Sequence, residues 1–237
     1  PKTCILSKGA IVNILLLEPY YTGSHKSWAD GIQKHSRHRI TLLTLKGQFW
    51  KWRMHGGAVT LARKFMDMHR IPDLIVATDM LDLSTFLALV RKRVSGVPTA
   101  VYFHENQLAY PWSPQDRDIV QKRDKHYGFI NFTTALAADA VLFNSAYNRD
   151  SFLNTLPGFL NHFPDHHETG QVEKIYEKSA VLPLGLELKA FDSYQQSQNN
   201  HPPVILWNHR WEHDKNPGSF FNALFDLENR GIEYQLV

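Results

Sequence analysis

The sequence of 237 residues lacks the features that mark several classes of protein. Its single cysteine, Cys4, has no partner for a disulfide within the chain, so nothing indicates an oxidising compartment. No apolar run approaches the roughly 20 residues that a membrane-spanning helix needs, and the apolar start is too short for a signal peptide. We therefore expect a soluble, cytoplasmic protein with no membrane partner.

The two common glycine-rich phosphate-binding motifs are also absent. The chain contains no G-x-G-x-x-G and no G-x-x-x-x-G-K-[ST], which argues against a dinucleotide oxidoreductase and against a P-loop enzyme. Neither sign of charge dominates, because the formal net charge is only +3. The pI near 8.9 permits an anionic partner without requiring nucleic acid.

Short apolar runs alternate with longer amphipathic segments along most of the chain, which is typical of a parallel sheet with right-handed crossovers. Six strands are predicted at residues 12–17, 40–45, 74–77, 99–103, 140–143 and 180–182. Helices are predicted near residues 24–35, 58–69, 83–94, 123–138 and 147–153. The fold class is therefore α/β, a Rossmann-like lobe with helices on both faces of its sheet.

A second unit begins after a polar segment at residues 193–203, which is rich in Gln and Asn and predicts an interdomain linker. A strand is predicted at 204–207, a helix at 220–230 and a strand at 233–237. A Rossmann-like lobe needs at least three or four such units. We expect residues 1–192 to form the first lobe and 204–237 to be the start of a truncated second lobe.

Candidate ligand-binding residues follow the first predicted strand, because ligands of doubly wound sheets bind beyond the carboxyl ends of the strands. Gly23 permits close approach of the backbone, and Ser24 can cap a helix whose amides attract anions. Gly23, Ser24 and His25 are therefore candidates for binding the phosphate of a ligand. A plain capped helix start is the alternative.

Four polar residues follow the fourth predicted strand. His104 beside Glu105 could position or accept a proton from an attacking hydroxyl, and we predict both as catalytic residues. The amides of Asn106 and Gln107 could bind the hydroxyls of a sugar. A hydrogen-bonded loop histidine is the alternative interpretation.

The second unit carries cations where its first strand ends. Arg210 follows that strand and Lys215 precedes the next helix, a placement suited to neutralising a leaving diphosphate. Two surface cations in a charged loop are the alternative.

Aromatic and basic residues alternate at 49–55, in the predicted loop after the second strand. Exposed Trp rings can stack on bases while Lys and Arg meet phosphates, so Trp50, Lys51, Trp52 and Arg53 are candidates for contact with RNA or another acceptor. The same residues could instead pack beneath a long loop.

No metal site is predicted. Residues 116–118 match the D-x-D pattern that binds a divalent metal in one class of glycosyltransferases, but Ser113, Pro114 and Asp116 are typical of a capped helix start. The histidines at 162, 166 and 167 are interrupted by Pro164 and have no regular helical spacing.

These strings resemble a known family. The second-lobe segment with Arg210 and Lys215, together with residues 144–152 and 182–191, resembles retaining glycosyltransferases with two Rossmann-like lobes, the GT-B architecture of family 4. More narrowly, residues 16–25, 49–53, 103–107 and 207–215 resemble the tRNA-queuosine mannosyltransferase group.

The resemblance implies transfer of mannose from GDP-mannose, with retention of configuration and without metal or cofactor, onto queuosine in the anticodon of an aspartate tRNA. The active site would be the cleft between lobes, with Asn208, Arg210 and Lys215 on the donor side. The chain departs from the wider family in having Asn208 and His209 where a glycine usually precedes the Arg. The carboxylate pair that holds the donor would lie beyond Val237, so we expect the chain alone to be nearly inactive.

Two other functions stay open from the sequence. A nucleotide-sugar epimerase or hydrolase could use the same scaffold, because a fold does not fix a reaction. A noncatalytic RNA-binding module could use the aromatic and basic segment, with binding that weakens as salt rises.

Overall fold

The computed structural model describes residues 10–123, 125–194 and 202–237. Cys4, position 124 and most of the predicted linker at 193–203 lie outside these ranges. The chain divides into two compact units, Pro1–Tyr110 with Asp124–Gly185, and Pro111–Arg123 with Leu186–Val237. The division falls after Gly185, a little before the boundary at residue 192 that the sequence predicts.

The first unit contains a six-stranded parallel sheet. The strands follow the order β2-β1-β3-β4-β5-β6 across the sheet. Their bounds are β1 Asn13–Tyr21, β2 Arg39–Lys46, β3 Leu74–Thr78, β4 Thr99–Phe103, β5 Ala140–Phe143 and β6 Ser179–Val181. The α/β, Rossmann-like fold class is confirmed, and all six predicted strands are present.

Helices cover both faces of this sheet. They are α1 Gly23–His35, α2 Trp50–Met66, α3 Leu83–Val94, α5 Lys125–Ala137, α6 Ala146–Leu160 and α7 Gln171–Glu177; α4, Arg117–Val120, belongs to the second unit. From β1 the chain moves one way to β2 and then back across the sheet. Right-handed crossovers in opposite directions put α1 on one face and the later helices on the other.

Alternate residues of β1 enter two separate apolar clusters. Leu15 and Leu17 join the larger cluster, with the helices that follow β2. Leu16 joins the smaller one with Trp28 of α1 and Tyr102 of β4. The period of two along a strand therefore directs every second side chain of β1 and β4 toward α1.

The second unit is small. It contains a parallel pair of strands, β7 Val204–Ile205 and β8 Gln235–Leu236, and the helix α8 Pro217–Asn229. Both strands are shorter than predicted. Among the helices of the described residues, none combines the length and apolarity that crossing a bilayer requires.

Two local predictions are wrong. The segment 49–55 is not a loop, because α2 begins at Trp50 and only Phe49 precedes it. The helix predicted to start at Ser113 starts three residues later, where the Asp116 carboxylate accepts a hydrogen bond from the Asp118 amide at 2.9 Å. Asp116 is therefore the N-cap of this helix, whereas the motif predicts a helix that starts at Ser113.

The sequence does not predict the start of α2, because two adjacent glycines lie in this helix. Gly57 lies where a Cβ atom would come within 3.1 Å of the Pro19 side chain, so the helix packs closely on the end of β1. Glycine normally disfavours a helix, but here it permits this contact. Gly31 of α1 is a contrasting case, since a Cβ there would meet no atom within 4 Å.

We expect Gly57→Leu to lower the free energy of unfolding, and Gly31→Leu to leave it unchanged or raise it. Both changes gain about 0.8 kcal/mol of helix propensity. Overpacking against Pro19 should cost the Gly57 variant about 1–3 kcal/mol. Urea unfolding followed by circular dichroism measures both, and equal stability of the two variants would contradict the close packing of α2 on Pro19.

Candidate active site

The candidate site lies at the carboxyl ends of β1, β3 and β4. The strand order reverses between β1 and β3, which is where doubly wound sheets bind ligands. Glu18 lies near the end of β1, Asp79 directly follows β3, and His104 directly follows β4. His25 is on the first turn of α1. Glu18 and His104 have the same strand parity as Leu16 and Tyr102, so they lie on the α1 face.

Glu18 is a carboxylate with no exposed surface. One of its oxygens, Oε2, lies 2.9 Å from Nδ1 of His25, and the other, Oε1, accepts a hydrogen bond from the Tyr20 amide at 2.7 Å. Burying a charge is costly unless it is paired and hydrogen-bonded. Glu18 meets both conditions, and it thereby connects the end of β1 to the first turn of α1.

The ring of His25 lies against the ring of His104, with 4.2 Å between their centroids. Trp28 of α1 contacts His104 edge-on at 4.7 Å, and Tyr102 contacts it at 4.9 Å. Tyr20 contacts His25 at 5.9 Å. The two histidines are therefore held by aromatic packing from α1, β1 and β4 together.

Their surroundings give the two histidines opposite charge states. Burial alone would lower the pKa of His25, but the hydrogen bond and charge of Glu18, with the charges of Asp79 and Glu105, raise this pKa to about 9. Burial and the positive charge of His25 lower the pKa of His104 to about 3. At neutral pH, His25 is a cation and His104 is a neutral base.

Asp79 is a further buried group of the cluster. Burial raises the pKa of its carboxyl to about 8, against the opposing charge of His25. Its Oδ1 accepts a hydrogen bond from the His104 amide at 2.8 Å. Asp79 Oδ2, His104 Nε2 and Gln107 Oε1 are buried polar atoms without a protein partner among the described residues. Such atoms are rare away from ligand sites, which supports a ligand-binding role.

Amide side chains fix the loop that follows β4. The side-chain oxygen of Asn131 in α5 accepts a hydrogen bond from the backbone N–H of Gln107 at 2.8 Å, and its side-chain nitrogen donates to the backbone carbonyl of Asp79 at 2.9 Å. Asn148 of α6 accepts from Asn106 Nδ2 at 2.8 Å and donates to the Phe103 carbonyl. This network holds the loop rigidly against the sheet.

The predicted residues of this loop differ in exposure. Asn106 is buried, and its amide also accepts from the Ala109 backbone at 2.9 Å. Gln107 is buried, and its Nε2 donates a hydrogen bond to Oε1 of Glu105 at 3.3 Å. Glu105 itself is exposed. The hydrogen bonds of Asn106 thus stabilise the loop. The acceptor-binding role predicted for Asn106 and Gln107 stays a prediction, and it would require the side-chain hydrogen bonds of both residues to rearrange.

The structure changes the expected roles at the start of α1. Gly23 has a φ of +50°, a conformation that favours glycine. Ser24 is inside the helix and is not its cap, because Thr22 occupies the cap position and makes no side-chain cap bond. The predicted capping role of Ser24 is therefore wrong, while Gly23 and Ser24 are both exposed beside His25.

The aromatic and basic segment opens α2. Trp52 has 62% of its surface exposed, and Phe49 before the helix has 73%. Trp50 packs on Tyr110 and Tyr127, with ring centroids 5.9 and 5.3 Å away. Lys51 Nζ lies 5.7 Å from the Trp50 ring centroid, and Arg53 Nε donates to the Lys46 carbonyl at 3.2 Å. Trp52 is therefore the tryptophan of this segment that is presented to solvent, next to the exposed ring of Phe49.

In the second unit, the three predicted donor-binding residues are exposed. Arg210 Nη1 lies 3.0 Å from Glu212 Oε1, and Lys215 Nζ lies 2.6 Å from Asp214 Oδ2. The Arg210–Glu212 pair is exposed on both sides and contributes little to stability, whereas Lys215 pairs with a carboxylate that is only 15% exposed. Asn208 lies between them and the end of β7.

Trp207 anchors the segment that carries these cations. Its ring packs on Phe220 of α8 at 4.5 Å and on His209 at 5.4 Å. Trp211 stacks on Phe221 at 5.1 Å. The two aromatic residues on either side of Arg210 are thus fixed against α8.

One group of side chains has the chemistry of metal ligands. Possible ligand atoms of Glu18, His25 and His104 all lie within 4.8 Å of one another. However, Nδ1 of His25 is already hydrogen-bonded to Glu18, and the two imidazoles lie against each other. We therefore interpret the group as an ion pair with a packed neutral histidine, and the absence of a metal site stays a prediction.

Comparison with known proteins identifies the family. The profile of the tRNA-queuosine alpha-mannosyltransferase N-terminal family matches residues 13–186. This chain belongs to that family. It is also 32% identical to the tRNA-queuosine alpha-mannosyltransferase of Drosophila melanogaster over 234 residues. The match covers 95% of this chain and spans 60% of the length of that relative. The family that the sequence motifs indicate is confirmed.

The family match covers the whole of the buried cluster, and sequence reasoning missed four of its members. Glu18, Asp79, Asn131 and Asn148 are all buried polar residues. Two of them carry a recognisable signal, because Glu18 interrupts an apolar strand and Asp79 directly follows one. Asn131 and Asn148 lie in helices, where the sequence gives no sign of their long-range partners.

Proposed function

We propose that this chain is part of a retaining glycosyltransferase that transfers mannose from GDP-mannose to queuosine in the anticodon of an aspartate tRNA, without a metal or cofactor. A cytoplasmic location is part of the same proposal. The observation that carries it is the ion pair of Glu18 and His25 beside the neutral His104, at the switch point of a lobe that belongs to the queuosine mannosyltransferase family.

His25 of the first unit is proposed to bind the donor. His25 is positively charged at neutral pH and lies in the first turn of α1, where helix amides also attract anions. Arg210 and Lys215 of the second unit are exposed cations, a kind of residue suited to stabilise a leaving diphosphate. Asn208 is proposed to contact the same donor.

The acceptor is proposed to meet His104 and Glu105. The low pKa of His104 keeps its imidazole neutral across the physiological range, so the ring can accept a hydrogen bond from an attacking hydroxyl, while the same low pKa makes it a weak base. Glu105 is exposed at the edge of the same cluster. These two residues supply hydrogen-bond acceptors for the acceptor hydroxyl, and the exposed carboxylate of Glu105 is the stronger base of the two.

The tRNA is proposed to contact the start of α2. An exposed Trp52 can stack on an unpaired base, while Lys51 and Arg53 are close enough to meet phosphates. Anticodon bases are in a single-stranded loop, which is the kind of RNA that proteins recognise by stacking.

We expect Lys215→Ala in the full-length protein to lower turnover by about a hundredfold or more, because one cation that stabilises the leaving diphosphate is lost. Labelled GDP-mannose is incubated with tRNA that contains queuosine and with tRNA that lacks it. Lys189→Ala, which removes an exposed lysine of the same unit, is the control and should keep full turnover.

The same assay separates the alternatives. Label on queuosine-containing tRNA alone supports the proposal. Consumption of GDP-mannose without any acceptor would indicate a hydrolase or an epimerase. Binding of tRNA without affinity for the nucleotide sugar would indicate a noncatalytic RNA-binding module.

We expect Trp52→Ala to weaken tRNA binding by about 1–3 kcal/mol through loss of base stacking. Met66→Ala is the matched control, because Met66 is an exposed apolar residue at the far end of the same helix. Filter binding at several salt concentrations measures both. An equal loss of affinity in the two variants would contradict a specific contact at Trp52.

A further inference from the structure

We infer that Glu18 is a positioning residue: it orients His25 so that the Nε2 edge of the imidazole meets a phosphate of the donor. This inference rests on the proposed function. It adds a residue that itself touches no substrate and acts through His25.

Both carboxylate oxygens of Glu18 are already hydrogen-bonded within the fold. Glu18 is fully buried, and its two oxygens are occupied by the Tyr20 amide and by His25 Nδ1. The Tyr20 carbonyl in turn accepts from the Thr22 amide at 2.8 Å, which closes the turn into α1. The carboxylate is therefore fixed by the same turn that leads to His25, so its orientation cannot vary independently of the ring.

Geometry then determines which edge of His25 can face a ligand. Nδ1 and Nε2 are on opposite sides of the imidazole, so the bond to Glu18 turns Nε2 away from the carboxylate. His104 lies on one side of the ring at 4.2 Å and Tyr20 contacts it edge-on. The ring cannot rotate without breaking the Glu18 bond and both aromatic contacts.

The groups around His25 come from three strands and one helix. Glu18 is on β1, Asp79 follows β3, and His104 and Glu105 follow β4. The first turn of α1 carries no acidic side chain. Positive potential from the amides at the helix start therefore adds to the charge of His25 on the side away from Glu18, which suits a phosphate.

The pKa of about 9 for His25 agrees with this assignment. Without the Glu18 charge, less would oppose the effect of burial, so the pKa of His25 would fall. The cation would then be lost at a lower pH. Asp79 and Glu105 would still raise the pKa, so the change should be a partial one.

The test uses Glu18→Gln in the full-length protein, because glutamine keeps the shape and removes the charge. We expect kcat/KM for GDP-mannose to fall roughly tenfold or more, with the loss growing as pH rises toward 9. Asp73→Asn is the matched control. Asp73 is an exposed acid that bonds to Asn13 at the other end of β1, and its replacement should leave kcat/KM unchanged.

A double-mutant cycle with His25→Gln decides whether Glu18 acts through His25. We expect the Glu18→Gln and His25→Gln double variant to be no slower than His25→Gln alone. Independent, multiplicative losses would overturn the inference. Thermal unfolding of each variant shows whether lost folding contributes, and a loss of kcat/KM that follows the unfolded fraction would also overturn it.

Histidine NMR titration gives a readout that does not depend on catalysis. The His25 resonance, assigned by its absence from His25→Gln, should titrate at a lower pH in Glu18→Gln than in the natural protein. An unchanged His25 titration would overturn the inference even if mannose transfer is robust. If the natural protein transfers no mannose, the proposed function fails, while the titration still reports whether Glu18 controls His25.

Discussion

The hydrogen-bonded pair of Glu18 and His25 is the constraint on which the rest of the site depends. A fully buried carboxylate must be paired, and its partner here comes from the first turn of α1. The pair therefore fixes where α1 begins relative to the end of β1. It also places a cation at the switch point of the sheet, which an apolar pair of the same size would not do.

A second set of buried contacts makes the opposite wall of the site rigid. Asn131 of α5 bonds to the backbone of the loop after β4, and Asn148 of α6 bonds to the carbonyl of Phe103, the last residue of that strand. Asp79 holds the His104 amide from the neighbouring strand. Because these bonds are internal to one unit, the positions of His25 and His104 are preorganised before any ligand binds, which is the arrangement that electrostatic stabilisation requires.

The sequence predicts the sheet well and the buried polar network poorly. Continuous apolar runs such as β4 identify strands directly, because burial on both faces leaves few alternatives. The start of α2 could not be predicted, since its paired glycines disfavour a helix until the close contact of Gly57 with Pro19 is known. Glu18 and His25 lie seven residues apart, and only the turn between strand and helix brings their side chains together.

We propose that the switch point of the first unit binds the diphosphate of a nucleotide sugar through His25. A crystal structure of the full-length protein with GDP-mannose or GDP tests it most directly. The account predicts a phosphate oxygen within hydrogen-bonding distance of His25 Nε2, with Nδ1 still bonded to Glu18. A diphosphate bound elsewhere, with His25 Nε2 contacting no part of the donor, would contradict it.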